Sequence, residues 1–223
     1  MKIKAFLLTL VVILGILTTS GCGEKNREYV EEEVKRAANE LILKSELLNE
    51  LYYGYGIAYD DNKSEADGRY YKASLLSANE FGVDTVEDIK VLTRECFSTE
   101  YANLLIDTKL SSVKDDEGVI VSYVRYYQKY NALDGSEECI MVDSEATVLI
   151  DDELEYDYNS LYVSHSEGEE VIVKISVTVT DADGNSQKKE LEISLIEEAD
   201  GWRINSPTYT TYFDRTQYDD LQK

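Results

Sequence analysis

The hydrophobic period of this chain changes once, near Gly118, and the change divides it in two. Before that point apolar residues recur every three or four positions; after it they alternate. A period near 3.6 belongs to helices with one buried face, and a period of 2 to strands with one buried face. The pattern therefore predicts helices first and an antiparallel sheet after them.

The longest helical stretch is 27–53, where Val30, Val34, Ala37, Leu41, Leu48 and Tyr52 form an apolar stripe among charged residues. Glu31, Glu32 and Glu33 fall in an early turn, where the helix dipole favours negative charge, and Gly54 and Gly56 end the pattern. A second helix starts at Asp84 or Thr85, each followed three residues on by an acid, Glu87 or Asp88. Val86, Ile89, Leu92 and Cys96 share its inner face. Ser98 caps a third, short helix carrying Tyr101, Leu104 and Leu105, and helical spacing stops by Ser111.

Strands are expected at 119–130, 139–150, 154–163, 170–180, 188–197 and 202–205, separated by the turn dipeptides Asp134-Gly135, Glu167-Gly168, Asp183-Gly184 and Asp200-Gly201. One hairpin can be read to the residue. Val171, Val173, Ile175, Val177 and Val179 share a face, as do Leu191, Ile193 and Leu195. A two-residue turn at Asp183-Gly184 would set Ile175 against Glu192 and mix the faces. A three-residue loop, 182–184, sets Ile175 against Leu191 and Lys174 against Glu192, with Gly184 at the position needing positive φ.

The expected fold class is α+β: N-terminal helices packed on a curved antiparallel β-meander. This order of elements resembles the cystatin/NTF2-like cone. The ending 195–209, with Gly201-Trp202-Arg203-Ile204-Asn205-Ser206-Pro207 at its centre, resembles the last hairpin of lipoproteins from Gram-positive bacteria. Tyr70-Tyr71-Lys72, Val86-Glu87-Asp88-Ile89 and Cys96-Phe97-Ser98 are similar to secreted inhibitors of cell-wall DL-endopeptidases. These likenesses imply a binding protein or a wall-hydrolase inhibitor, and the cone implies ketosteroid-isomerase-type chemistry as the enzymatic alternative. None of them places a catalytic residue on this sequence.

The first residues read as an export signal. Lys2 and Lys4 precede an apolar run, 5–17, broken only by Thr9 and Gly15, and small residues lead to Cys22. The run is short of the ~20 residues a spanning helix needs. Thr19-Ser20-Gly21-Cys22 resembles the bacterial lipobox, which implies a diacylglycerol on the Cys22 thiol and cleavage before it. Two acyl chains suffice for stable anchoring. The expected organisation is a signal peptide at 1–21, a lipidated cysteine and short tether at 22–26, and a single α+β domain at 27–223, held on the extracytoplasmic face of the cell membrane. A single proline and the lack of any Ser/Gly-rich run leave no visible internal linker.

The formal charge is −23, and removal of Lys2 and Lys4 takes the mature chain to about −25. Such acidity excludes nucleic acid as a partner, because phosphate neutralisation needs clustered Lys and Arg. It also repels anionic lipid, so membrane association falls to the lipid on Cys22. A basic envelope protein or a small ligand remains as the expected partner.

Beyond the lipid, no cofactor or metal is expected. Cys96 and Cys139 form no CxxC pair, and His165 is the one histidine. The two cysteines are either a disulfide or two buried thiols. Asp181, Asp183, Asn185 and Glu192 stand at EF-hand spacing, but Ser186 occupies the position that needs Gly and the flanks are strands, so a plain hairpin loop is expected. His165 between Ser164 and Ser166 reads as a solvated loop residue. With no catalytic set, a non-enzymatic protein is expected.

The tyrosines are the remaining signal. Tyr52, Tyr53, Tyr55, Tyr59, Tyr70 and Tyr71 surround 54–83, a long stretch of little regular pattern. Tyr55, Tyr59, Tyr70 and Tyr71 either line a binding mouth or close the end of the sheet as core.

Overall fold

The computed structural model describes residues 30–64, 68–111, 113–114, 120–129, 138–149 and 153–209. The signal peptide, Cys22 and its tether lie outside these residues.

Helix α1, Glu31–Tyr53, opens with three glutamates in its first turn and no side-chain cap on Val30. Its inner face is Val34, Ala38, Leu41, Ile42, Ser45, Leu48, Asn49 and Tyr52, all buried, whereas Val30 is 64% exposed and Ala37 only half-buried. The expected stripe is corrected at those two positions. Val30 is the N-cap, ahead of the first helical turn, and at about 100° per residue Ala37 falls at the margin of the face centred on Val34, Ala38, Leu41 and Ser45.

Two strands, β1 (Tyr59–Ser64) and β2 (Tyr70–Ala73), and a short helix α2 (Leu75–Glu80) follow. Helix α3, Val86–Cys96, starts on a capping box: the Thr85 hydroxyl accepts from the Asp88 N–H at 3.1 Å, and the Asp88 carboxylate accepts from the Thr85 N–H at 2.8 Å. Helix α4, Thr99–Lys109, is capped by Ser98, whose hydroxyl accepts from the Tyr101 N–H at 3.1 Å. Among the described residues eight strands follow: β3 (Val113–Lys114), β4 (Ile120–Ser122), β5 (Tyr126–Lys129), β6 (Cys139–Asp143), β7 (Glu153–Glu167), β8 (Glu170–Thr180), β9 (Ser186–Glu198) and β10 (Gly201–Ile204).

These strands do not form one curled meander. They form an antiparallel sheet of order β1-β2-β6-β5, a second of order β10-β9-β8-β7, and the pair β3-β4. Only the second is a meander, and neither four-stranded sheet curls or closes as the cystatin/NTF2-like cone requires. The cause is visible at Val142. It pairs with Tyr71 of β2 on one side and Tyr126 of β5 on the other, so β6 has no free edge to offer β7. The segment that looked irregular in sequence supplied the strand that splits the sheet. Ketosteroid-isomerase-type chemistry rested on the cone and loses its basis with it.

The β8–β9 register is the expected one, with Ile175 opposite Leu191, Val173 opposite Ile193 and Lys174 opposite Glu192. Gly184 has φ +82°, and the Asp181 N–H donates to the Asn185 carbonyl at 3.1 Å, which closes the three-residue loop 182–184. The Asp181 carboxylate accepts from the N–H groups of Asp183 and Asn185, the office of a hairpin loop.

Helix α1 lies against β7, β10 and α3. One hydrophobic cluster joins Val171, Val173, Ile175, Val177, Leu191, Ile193 and Leu195 to α1, to α3 and α4, and to Tyr126, Ile140 and Val142 of the first sheet. Each fully buried aliphatic here contributes about 1.5–3 kcal/mol. The strap after β10 is latched to α1 by buried polar groups: Asn49 Nδ2 donates to Thr208 Oγ1 at 2.9 Å, Thr208 Oγ1 donates to Ser45 Oγ at 2.7 Å, and Ser45 Oγ donates to the Ile42 carbonyl at 2.7 Å.

Candidate functional site

The candidate site is the corner where the chain leaves α1 and enters β1, facing the turn from β2 into α2. The Glu50 carboxylate, one turn before the helix end, accepts from the N–H groups of Tyr55 at 2.8 Å and Gly56 at 3.2 Å and wraps the chain over itself. Gly56 has φ +66°, and a Cβ there would lie 2.0 Å from Tyr126 Oη, so the residue must be glycine. Tyr126 Oη in turn donates to the Leu51 carbonyl at 2.9 Å and accepts from the Ile57 N–H at 3.1 Å. The corner is thereby pinned to the buried end of α1.

From Ile57 onward the chain runs beside the start of α2. The Ser74 N–H donates to the Ala58 carbonyl at 2.8 Å, the Ala58 N–H donates to Ser77 Oγ at 2.9 Å, and Tyr59 pairs with Ala73. This brings the chain at Ala58 and Tyr59 beside the start of α2, which carries Leu75 and Leu76, with Tyr55 three residues before Ala58. Leu75 and Leu76 are 71% and 79% exposed and Tyr55 is 74% exposed. Tyr59, 36% exposed, stacks on half-buried Tyr71 with ring centroids 5.0 Å apart. Asp61 in β1 and Glu80 at the end of α2 are also exposed. Single exposed apolar residues need no explanation, and what sets this segment apart is that two leucines and two tyrosines are exposed within 55–76.

The four tyrosines singled out in sequence do not act together. Tyr55, Tyr59 and Tyr71 belong to the corner. Tyr70 points to the opposite face of β2, is buried, donates its phenol to the Val124 carbonyl at 2.7 Å, and packs edge-on to Tyr127 with centroids 4.8 Å apart. Alternation along a strand separates neighbours Tyr70 and Tyr71 onto two faces, which follows once β2 is known to be a strand. Leu75 and Leu76 were missed by sequence reading. Their one signal was a Leu-Leu pair after a serine cap with no helical partner at the next turn.

The other candidates resolve into structure. Cys96 is buried, its thiol 3.4 Å from the Leu41 carbonyl and pushed up to about 12 by burial, while Cys139 lies beside Met141; both are free thiols. His165 is exposed on β7 opposite Ile172, in a strand that runs beyond its expected end, and not in a loop. Among the described residues no group of His, Cys, Asp and Glu converges as a metal site, and no helix is long and apolar enough to cross a membrane.

Comparison with protein-family models, with curated proteins and with solved structures finds no match in any of the three. The likenesses drawn from short strings of this sequence therefore have no support at the level of the whole chain, and the fold has no matched relative from which a role could be carried over.

Proposed function

We propose that the chain is a lipid-anchored, non-enzymatic binding module on the extracytoplasmic face of the membrane, and that it captures a basic protein partner at the Tyr55–Tyr59–Leu75–Leu76 corner. The observation that carries the reading is the exposure of Leu75 and Leu76, at 71% and 79%, beside two exposed tyrosines in a chain of charge −23. An apolar centre rimmed by acids fits a partner with an apolar contact and a basic rim. Anchoring rests on the lipobox resemblance at Thr19-Ser20-Gly21-Cys22. Helix α1, 23 residues and about 34 Å long, begins nine residues after Cys22 and ends at the corner.

Two experiments test the two halves of the proposal. Cys22→Ser should lose membrane association, appearing in the medium or as an unprocessed precursor; wild-type amounts of processed, membrane-bound variant overturn the anchor. The soluble domain, immobilised and exposed to solubilised envelope, should retain a basic protein that the Leu75→Ser/Leu76→Ser variant does not. Both substitutions are at exposed sites and should leave the melting temperature within about 2 °C, on the order of 0.5 kcal/mol. Equal capture by the wild type and this folded variant overturns the corner as the binding surface.

A further inference from the structure

Two cations stand at the C-terminal end of α1, in a chain otherwise dominated by carboxylates. Arg125 is 8% exposed. Its Nη2 donates to the Gly54 carbonyl and its Nε to Tyr126 Oη at 3.2 Å, so it caps the carbonyl end of α1, where the helix dipole favours a cation. Neither bond uses Nη1. Lys109, the last residue of α4, is tied to it through the backbone, its carbonyl accepting from the Arg125 N–H at 3.1 Å. The half-buried Lys109 ammonium lies 4.7 Å from the centroid of the Tyr53 ring. Tyr53 is backed by Tyr209, with centroids 4.3 Å apart.

Among the described residues neither cation has a carboxylate partner, and the Lys109 ammonium has no hydrogen-bond acceptor. Arg36 and Lys189 also lack an acid partner but are exposed to water, whereas Lys109 is half-buried and Arg125 buried. Lys35, Lys90, Lys174, Lys188, Arg69, Arg94 and Arg203 all pair with acids within 4.0 Å. A cation–π contact offsets part of the desolvation of an ammonium but satisfies none of its three donors. Burial, and then the charge of Arg125, hold the Lys109 ammonium below its ordinary range. A neighbouring anion would offset both effects by favouring the charged ammonium.

We infer that Lys109 and Arg125, over the Tyr53 ring, form a binding site for the carboxylate group of a small ligand. The two heads meet adjacent residues at the end of α1, the guanidinium at the Gly54 carbonyl and the ammonium over the Tyr53 ring, and Tyr53 supplies an apolar wall. A monovalent carboxylate fits better than a phosphate, because each added negative charge must enter the field of a chain carrying −23. The site is separate from the exposed corner, and its fate does not depend on partner capture there.

The test is a titration of the folded soluble domain with sodium acetate, followed by NMR at the Arg125 Nε–H and the Leu110 amide. Sodium chloride at matched ionic strength is the control, and sodium phosphate the comparison arm. Saturable shifts with acetate are expected, absent with chloride, weaker with phosphate, retained in Lys109→Arg and lost in Lys109→Met. Lys109→Met keeps the length and apolar stem of the side chain, and the dispersion of its amide spectrum shows whether it is folded. No saturable shift in the wild type, the same shift with chloride, or a shift that persists in folded Lys109→Met overturns the site. Stronger shifts with phosphate than with acetate overturn the carboxylate assignment. If Lys109→Met does not fold, the wild-type acetate and chloride arms decide the matter on their own.

Discussion

Ile175 faces Leu191 directly across the β8–β9 ladder, and the salt bridge from Lys174 Nζ to Glu192 Oε1, 2.6 Å long, lies on the opposite face. Both pairs depend on the loop 182–184 being three residues long, and that loop depends on the positive φ of Gly184. A Cβ at Gly184 meets nothing within 4 Å, so a substitution there acts through backbone conformation alone. Gly184→Val should destabilise the domain by roughly 1–2 kcal/mol, and Gly184→Ala by less, since β-branching makes positive φ harder still. Coincident urea midpoints for Gly184→Val and wild type would remove the conformational argument for the register.

The latch between α1 and the final strap gives a second expectation. Thr208 Oγ1 serves Asn49 Nδ2 and Ser45 Oγ together, and all three residues are buried. Thr208→Val keeps the shape of the side chain but leaves the Asn49 amide with an unpaired buried donor, at a cost of about 1–3 kcal/mol. Asn49→Leu in the same background removes that orphan, so the double variant should recover part of the loss. Additive losses in the urea midpoint would mean that the two groups do not act as a pair.

The parts of this fold that were legible in sequence are those where one physical rule decides. The capping box at Thr85 and Asp88, the Ser98 cap and the β8–β9 register each follow from a local pattern that no tertiary contact overrides. Of the first sheet, β5 and β6 fall within the strands expected at 119–130 and 139–150, but β1 and β2 were not legible. β1 reads Tyr-Asp-Asp-Asn-Lys-Ser, with no alternation, and α2 is too short to show a period. Ser45 was passed over because it is polar, and it is buried because Thr208, far along the chain, supplies its partner. Half of the candidate site was legible for a similar reason. Tyrosine density marked the segment that carries the exposed corner, but assigning Tyr70 and Tyr71 to opposite faces required knowing that β6 lies beside them. The cone followed from placing every late strand in one sheet, and the double pairing of β6 could not be read from β6 itself.

The capping box also sets a pH dependence. The Thr85 hydroxyl, donating to the Asp88 carboxylate at 2.8 Å, holds that carboxyl below its usual range, helped by the N–H groups of Asp84 and Thr85 and opposed by partial burial. A depressed carboxyl contributes stability that is present above its unfolded pKa, about 3.9, and lost as pH falls through its lower folded value. The cap should therefore weaken from about pH 4 downward. Thr85→Ala should be less stable at neutral pH and show a shallower loss in acid, because less linkage remains to be lost. Melting curves for the two proteins between about pH 6 and pH 2.5 make the comparison; parallel acid limbs would show that Asp88 is not responsible.

Tyr59 and Tyr70 now separate two roles that their neighbours in sequence could not. Tyr70 is 7% exposed and donates its phenol to the Val124 carbonyl, whereas Tyr59 is 36% exposed and touches Tyr71 by stacking. Tyr70→Ala removes a buried ring and should destabilise by about 3 kcal/mol or more. Tyr70→Phe, which keeps the ring and loses only the hydroxyl, should cost about 1 kcal/mol. Tyr59→Ala should cost about 1 kcal/mol or less, the value of an aromatic pair at the surface. Partner capture should follow the opposite order: Tyr59→Ala weakens it with the fold intact, and Tyr70→Phe leaves it unchanged. Melting temperature and envelope pull-down on the same three proteins decide the matter. A large stability loss in Tyr59→Ala, or capture that survives it, would assign the ring to packing and take it out of the binding surface.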